Sequence, residues 1–255
     1  MSASIDPRWL AAVLLLSVRL GLLIAFSPLL TTFAVPVRVR LMLVFGLALM
    51  LAPTALHSVD ARALSMDGFV LAVGHEVVNG GALALGVSVA FGAFSVAGRL
   101  VDQQIGFGIG QMLDPLNGAQ WPVISAAFGY LAVVLFFLGD LHHLLMRGLI
   151  LSVEMSPPGT ALSGVAAMPN WIVAAGAMFG VGFAMVLPVM LSLLMVELVL
   201  SVIARNLPQM NIFVLSLPIK TLVGISALVV WLPLAAGATQ RAFNLLFDSW
   251  HGLIT

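Results

Sequence analysis

The sequence has no cysteine and very little charge. Of its 255 residues only 8% are Asp, Glu, Lys or Arg, and tyrosine occurs once. The absent cysteines exclude disulfides and thiolate metal sites, and they leave the redox compartment unreadable. The shortage of charge says more. A water-exposed domain carries about 25% charged residues because its surface needs them. At 62% hydrophobic residues and a mean hydropathy of +1.16, this chain cannot cover an ordinary aqueous surface. Lipid, or the apolar faces of partner subunits, must take the place of water. Ten basic residues balance ten acidic ones, which removes the basic stripe that a nucleic-acid partner requires.

What the chain does have is long apolar runs. A helix crosses the hydrocarbon core in roughly 20 residues, and runs of that order occur at Trp9–Leu30, Leu41–Leu56, Phe69–Gly98, Val123–Met146, Trp171–Ala204 and Ile212–Gly237. Turn chemistry separates them at Thr31 to Pro36, His57 to Asp67, Asp114-Pro115-Leu116-Asn117-Gly118, Ser156-Pro157-Pro158-Gly159 and Asn206-Leu207-Pro208. The pattern predicts an all-α, polytopic membrane protein: one membrane domain over residues 1–255 with about six hydrophobic segments, no clear internal repeat and no polar linker. No small-x-small cleavage site closes the first run, and Ser27-Pro28-Leu29-Leu30 continues it. It reads as a retained membrane helix and not as a signal sequence. Phe69–Gly98 and Trp171–Ala204 are overlong, reaching on the order of 45–50 Å each. Pro188 is expected to kink or break the second, or such segments tilt, bend into hairpins or project beyond the bilayer. Alternating segments put Arg38, Arg40, Arg99, Arg205 and Lys220 on one side, and Arg8, Arg62, Arg147 and Arg241 with most of the acids on the other. The bias leans toward a cytoplasmic first side.

Two segments depart from plain apolar sequence. In Arg99 to Pro115, Gly106, Gly108 and Gly110 alternate with Phe107, Ile109 and, further on, Met112. Each glycine costs a helix interior about 1 kcal/mol relative to alanine, and irregular backbone at membrane depth survives only where protein buries it or it lines a cavity. A flexible apolar loop in a passage and a small-residue packing face or surface loop both satisfy these facts. In Ala204 to Lys220, two prolines ten residues apart and a Pro-Gln-x-Asn turn lie between Arg205 and Lys220. This reads as a tight turn between a long helix and its returning partner, begun or kinked by Pro218, with snorkelling cations at the ends.

Together these segments resemble the FliR family, the flagellar export-gate component homologous to the SctT-type component of type III secretion. Pro208-Gln209-Met210-Asn211-Ile212-Phe213, with Arg205 before it and Leu217-Pro218-Ile219-Lys220 after it, looks like the family's signature turn. The stretch from Gly98-Arg99 to Asp114-Pro115 is similar to its other characteristic segment, and the amphipathic tail Arg241–Gly252 fits as well. The resemblance covers essentially the whole chain. It implies long, bent helical hairpins within a helical hetero-oligomer with FliP-type and FliQ-type subunits, the first part of the chain FliP-like and the last part FliQ-like. An FlhB-type subunit would wrap the entrance and an FlhA-type ring would lie below. The implied work is passage of unfolded flagellar or effector proteins across the bacterial inner membrane at the flagellar basal body, without a cofactor. The implied pore plug is Gly106, Phe107, Gly108, Ile109, Gly110, Gln111 and Met112, an apolar stopper that holds back ions by dewetting and is adaptable through methionine. Arg99, Asp102, Asp114 and Pro115 would anchor it.

The ionisable residues admit simpler readings. Arg19 lies inside the first run and is a functional candidate by default, or else contacts helix-end carbonyls of a neighbouring subunit. Glu197 is a proton-relay carboxylate or pairs with Arg205. His75-Glu76 with Asn79 lacks the second histidine of a zinc helix. Asp140, His142 and His143 show too few converging ligands for a metal and read as a water-facing helix end. Arg99 and Asp102 can pair at i, i+3 on a helix. No Ser-His-Asp set, phosphate loop or paired catalytic carboxylates are visible, which argues against an intramembrane enzyme. The other rival is a small-molecule secondary transporter, whose kind usually shows related halves.

Overall fold

The computed structural model describes residues 6–56, 65–107, 123–160, 168–206 and 211–254. Five of the predicted site residues of the plug (Gly108, Ile109, Gly110, Gln111, Met112) lie outside them, as do Asp114, Pro115, Pro208 and Gln209. The described residues form nine α-helices and one 3₁₀ turn, with no strand among them. The chain is all-α, as its composition predicts.

Local chemistry sets the helix ends. α1 (Pro7–Phe26) starts with Pro7 at its first position and Asp6 as N-cap, its carboxylate accepting from the Arg8 N–H at 2.9 Å. It does not run on to Leu30. Pro28 forbids helical backbone before it, so Ser27 is extended and its hydroxyl caps a new one-turn helix, α2 (Pro28–Thr31). α3 (Val37–Ala55) follows and packs on α1. α4 (Met66–Ile105) is 40 residues long, roughly 60 Å at 1.5 Å per residue. It ends at Gly106, whose positive φ of 101° suits glycine. α5 (Val123–Leu138) and α6 (Leu141–Met155) meet at a 75° bend over Gly139-Asp140, where a single run to Met146 was expected. α7 (Met168–Asn206) runs through Pro188, and α8 (Ile212–Trp231) through Pro218. Pro188 therefore does not break its helix. A proline disturbs the carbonyls of the turn before it, and one of them, Met185 O, accepts from the Trp231 indole N–H at 2.9 Å. A 3₁₀ turn (Leu232–Ala235) leads into α9 (Ala236–Ile254). Five helices are long and apolar enough to cross a membrane, or up to six spans if the bent pair counts as one. The protein is a multi-pass membrane protein.

The chain divides into two compact units, and the boundary falls within α4, α5, α7 and α9. Unit 1 comprises Met1–Val89, Val133–Ala174 and Leu245–Thr255. Its core sets Leu15, Leu16 and Leu20 of α1 with Leu83 of α4, Leu149 of α6 and Leu246 of α9. Trp250 packs on Gly148 and donates to Leu83 O at 3.2 Å. Unit 2 comprises Ala90–Ala132 and Ala175–Asn244. There Phe94 and Phe243 stack at 5.3 Å beside Phe91, and Met185 and Leu193 of α7 are buried.

Close backbone approach depends on glycine at a few contacts, as is usual for membrane helices. A Cβ on Gly80 would stand 2.6 Å from Arg19 O and 2.9 Å from Arg19 Cα. Neither atom can swing aside. Gly80→Ala is therefore expected to cost about 1–3 kcal/mol. Gly81→Ala has open space around its Cβ, so it should be neutral or gain up to about 1 kcal/mol of helix propensity. Thermal melts in detergent compare the two; equal melting points would show that α1 and α4 are not in backbone contact.

Candidate functional site

In unit 2 the polar centre is Asp102, the last-turn acid of α4, 1% exposed. Its backbone carbonyl accepts the N–H groups of Gly106 and Phe107, each at 3.0 Å, which closes the helix end. Its carboxylate reaches across to the start of α5. One oxygen accepts from Ile124 N at 3.0 Å; the other accepts from Ser125 N and Ser125 Oγ, each at 2.7 Å. Helix N-termini hold unpaired N–H donors and favour an anion. The described part of α5 begins at Val123. Asp102 caps its first turn from 22 and 23 positions away. Gly98 lets the two backbones meet, since a Cβ there would lie 2.5 Å from Ser125 Cα. One residue thus ties together both borders of the glycine-rich segment. The expected Arg99–Asp102 pair does not form: Arg99 is exposed and has no ion pair among the described residues. The backbone donors of α5 take the carboxylate instead. Gly106 and Phe107 are half-buried at this neck.

In unit 1 the centre is Arg19, fully buried. Its Nε donates to Glu76 Oε2 at 2.6 Å and its Nη2 to Glu76 Oε1 at 2.9 Å, a two-pronged pair with α4. The remaining donors reach the C-terminal end of α6, Nη1 to Ser152 O at 2.9 Å and Nη2 to Ser156 O at 3.0 Å. Glu76 Oε1 also accepts Gly159 N at 2.9 Å, at a residue with φ 93°. On the same face of α4, His75 Nδ1 lies 2.8 Å from Gly159 O, and Asn79 Nδ2 donates to Thr160 O at 2.8 Å. The helix-end carbonyls expected for Arg19 are present, but in its own chain and not in a neighbouring subunit. Two lone charges of opposite sign in separate apolar runs were the signal for this pair.

α7 and α8 form the predicted hairpin. Glu197 accepts from Lys220 Nζ at 3.1 Å, not from Arg205. Eight residues put Arg205 more than two helical turns along the axis, whereas Lys220 lies directly across the hairpin. Arg205 is exposed at the end of α7, Asn211 stands at the N-cap of α8 without a side-chain cap bond, Phe213 lies in its first turn and Pro218 is exposed within it. Much of this hairpin is bare: 22% of the apolar window in Ile172–Asn206 and 11% of that in Val214–Asp248 are buried, against 67% in α4.

The arrangement defines a class: a multi-pass helical membrane protein in which the buried charges among the described residues, Arg19, Glu76 and Asp102, are spent on holding its own fold. A family model for bacterial export proteins, family 1, matches residues 10–246. The flagellar biosynthetic protein FliR of Bacillus subtilis is 31% identical over 95% of this chain and 94% of its own length. FliR of Escherichia coli is 29% identical over 93% and 90%. The surface presentation of antigens protein SpaR of Shigella flexneri is 26% identical over 81% and 79%. The chain belongs to the FliR family of bacterial export proteins.

Proposed function

We propose that this chain is a structural, pore-forming subunit of the flagellar export gate, passing unfolded proteins across the bacterial inner membrane at the basal body. The carrying observation is the bare apolar hairpin α7–α8 in a chain whose buried charges are satisfied internally. Val202, Val214, Leu222, Val229 and Val230 are all more than 60% exposed, and large apolar side chains bared in this number along one hairpin call for lipid or protein contact. FliP-type and FliQ-type subunits are the partners the reading requires, with FlhB-type and FlhA-type subunits at the entrance. The flagellar setting is favoured because FliR of Bacillus subtilis and FliR of Escherichia coli match more of the chain, at higher identity, than SpaR does.

On this reading residues 106–112 plug the pore, and their borders are tied at Asp102. Deleting Gly106–Met112 should raise ion conductance through the purified, fully assembled complex by about tenfold or more, since an apolar constriction blocks ions by dewetting. An unchanged conductance in a correctly assembled complex would remove the plug from the account. The wider reading has its own test. Extraction in mild detergent should recover the chain with FliP-type and FliQ-type proteins; a stable, solitary, monodisperse chain would overturn it.

A further inference from the structure

The corner between α5 and α6 gathers three metal-ligating side chains that play no part in the gate reading. Asp140, His142 and His143 each offer one ligand atom, and these atoms lie within 4.8 Å of one another. Other features separate this corner from an ordinary solvated bend. Asp140 is the N-cap of a 15-residue helix, where aspartate usually accepts from the first-turn backbone, yet its carboxylate makes no cap bond. It stands instead 3.7 Å from His143 Nδ1. Asp140 has a φ of 54°, the left-handed conformation that aspartate adopts more readily than most residues, and this turns the chain at the corner. His142 Nδ1 is buried without a hydrogen-bond partner, alone in this among the described side chains. Its ring is set 5.4 Å from Phe137 and 4.1 Å from His143. A buried polar atom left unpaired calls for a partner.

The geometry points to a site for a divalent transition-metal ion, held by the Asp140 carboxylate and the imidazoles of His142 and His143. Two imidazoles and a carboxylate suit zinc, nickel or copper better than calcium or magnesium. Zinc bonds of about 2.0–2.1 Å place tetrahedral ligand atoms about 3.3 Å apart. The Asp140–His143 spacing is already near that, and both side chains are exposed enough (77% and 70%) to close the rest by rotation. Solvent supplies the remaining position. Bound there, the ion ties the cap residue to the first turn of α6 and fixes the 75° corner. Arg147, one turn further along, is exposed, so solvent screens its charge from the ion.

The test uses the full chain, without a histidine tag, in detergent with whatever subunits co-purify. After chelator treatment and dialysis against micromolar zinc chloride, the chain should retain about one zinc by elemental analysis. Asp140→Asn and His143→Ala, at exposed positions, should each weaken zinc binding by at least about tenfold with unchanged helix content, because one of three protein ligands is lost. His142→Ala should do the same. Failure to retain stoichiometric zinc, or retention that survives all three substitutions, overturns the site. Neither result bears on the gate assignment, which rests on other residues.

Discussion

Arg19→Ala should lower the stability of the chain by about 3–5 kcal/mol, because it strands the carboxylate of Glu76 where no water reaches it. Both side chains are essentially unexposed, and a single charge inside a membrane helix is costly by any scale. Glu76→Ala should be as severe, since it strands the guanidinium instead. In a detergent melt each loss corresponds to roughly 10 °C. Arg19→Met combined with Glu76→Met removes both charges and should recover part of the loss, so that the double change costs less than the two single ones together. Recovery will be incomplete. Ser156 O, at the end of α6, and Gly159 N lose these side-chain partners, and Ser152 O keeps only the Ser156 N–H. Arg19→Lys separates charge from shape: lysine keeps the charge but lacks the planar fork that meets both carboxylate oxygens. It should fall between the wild type and Arg19→Ala. If Arg19→Ala melts like the wild type, the pair does not hold unit 1 together, and Arg19 returns to being a candidate for contact with a partner subunit.

This pair also marks where the sequence could be read and where it could not. Hydropathy located α1, α3, α4, α5, α7 and α8, because apolar length in a charge-poor chain has few other uses, but not the amphipathic α9. It misplaced the ends. Arg38 and Arg40 stand ahead of the apolar run Leu41–Leu56, yet both lie inside α3, since arginine is a good helix former whatever its polarity. Ser27-Pro28 looked like continuation because both neighbours are apolar, but proline acts on backbone angles that hydropathy does not weigh. The corner at Gly139-Asp140 lies inside the run Val123–Met146, where one glycine and one acid weigh little against the apolar residues around them. The polar centres were half legible. Arg19, Glu76, Asp102 and Glu197 stand out because charge is scarce, but their partners are 57, 22 or 23 positions away. Pairing rules within one helix cannot reach that far. Arg99 is the sequence neighbour of Asp102 and Arg205 that of Glu197, but the fold supplies each acid with a partner across a helix interface.

Asp102 is where this difference has the largest testable consequence. Asp102→Ala leaves Ile124 N, Ser125 N and Ser125 Oγ without an acceptor at a site that is 1% exposed. A lost cap costs about 1 kcal/mol, and each buried donor left unpaired about 1–3 kcal/mol. A total near 3 kcal/mol is expected after the neck relaxes. Asp102→Asn keeps one acceptor oxygen but turns an NH₂ toward donors, so it should lose about half as much. Arg99→Ala should change stability by no more than about 0.5 kcal/mol, as an exposed substitution away from any contact does. The order Asp102→Ala, Asp102→Asn, Arg99→Ala in melting temperature separates a capping role from an ion pair. Equal losses at Arg99 and Asp102 would restore the i, i+3 pair and discard the cap. A second readout reaches the proposed plug. On the plug reading, loosening the tie at Asp102 should raise ion leakage through the assembled complex even where Asp102→Asn leaves assembly intact. A cap that merely stabilised unit 2 would lower the yield of the complex without changing the conductance of the complexes that form.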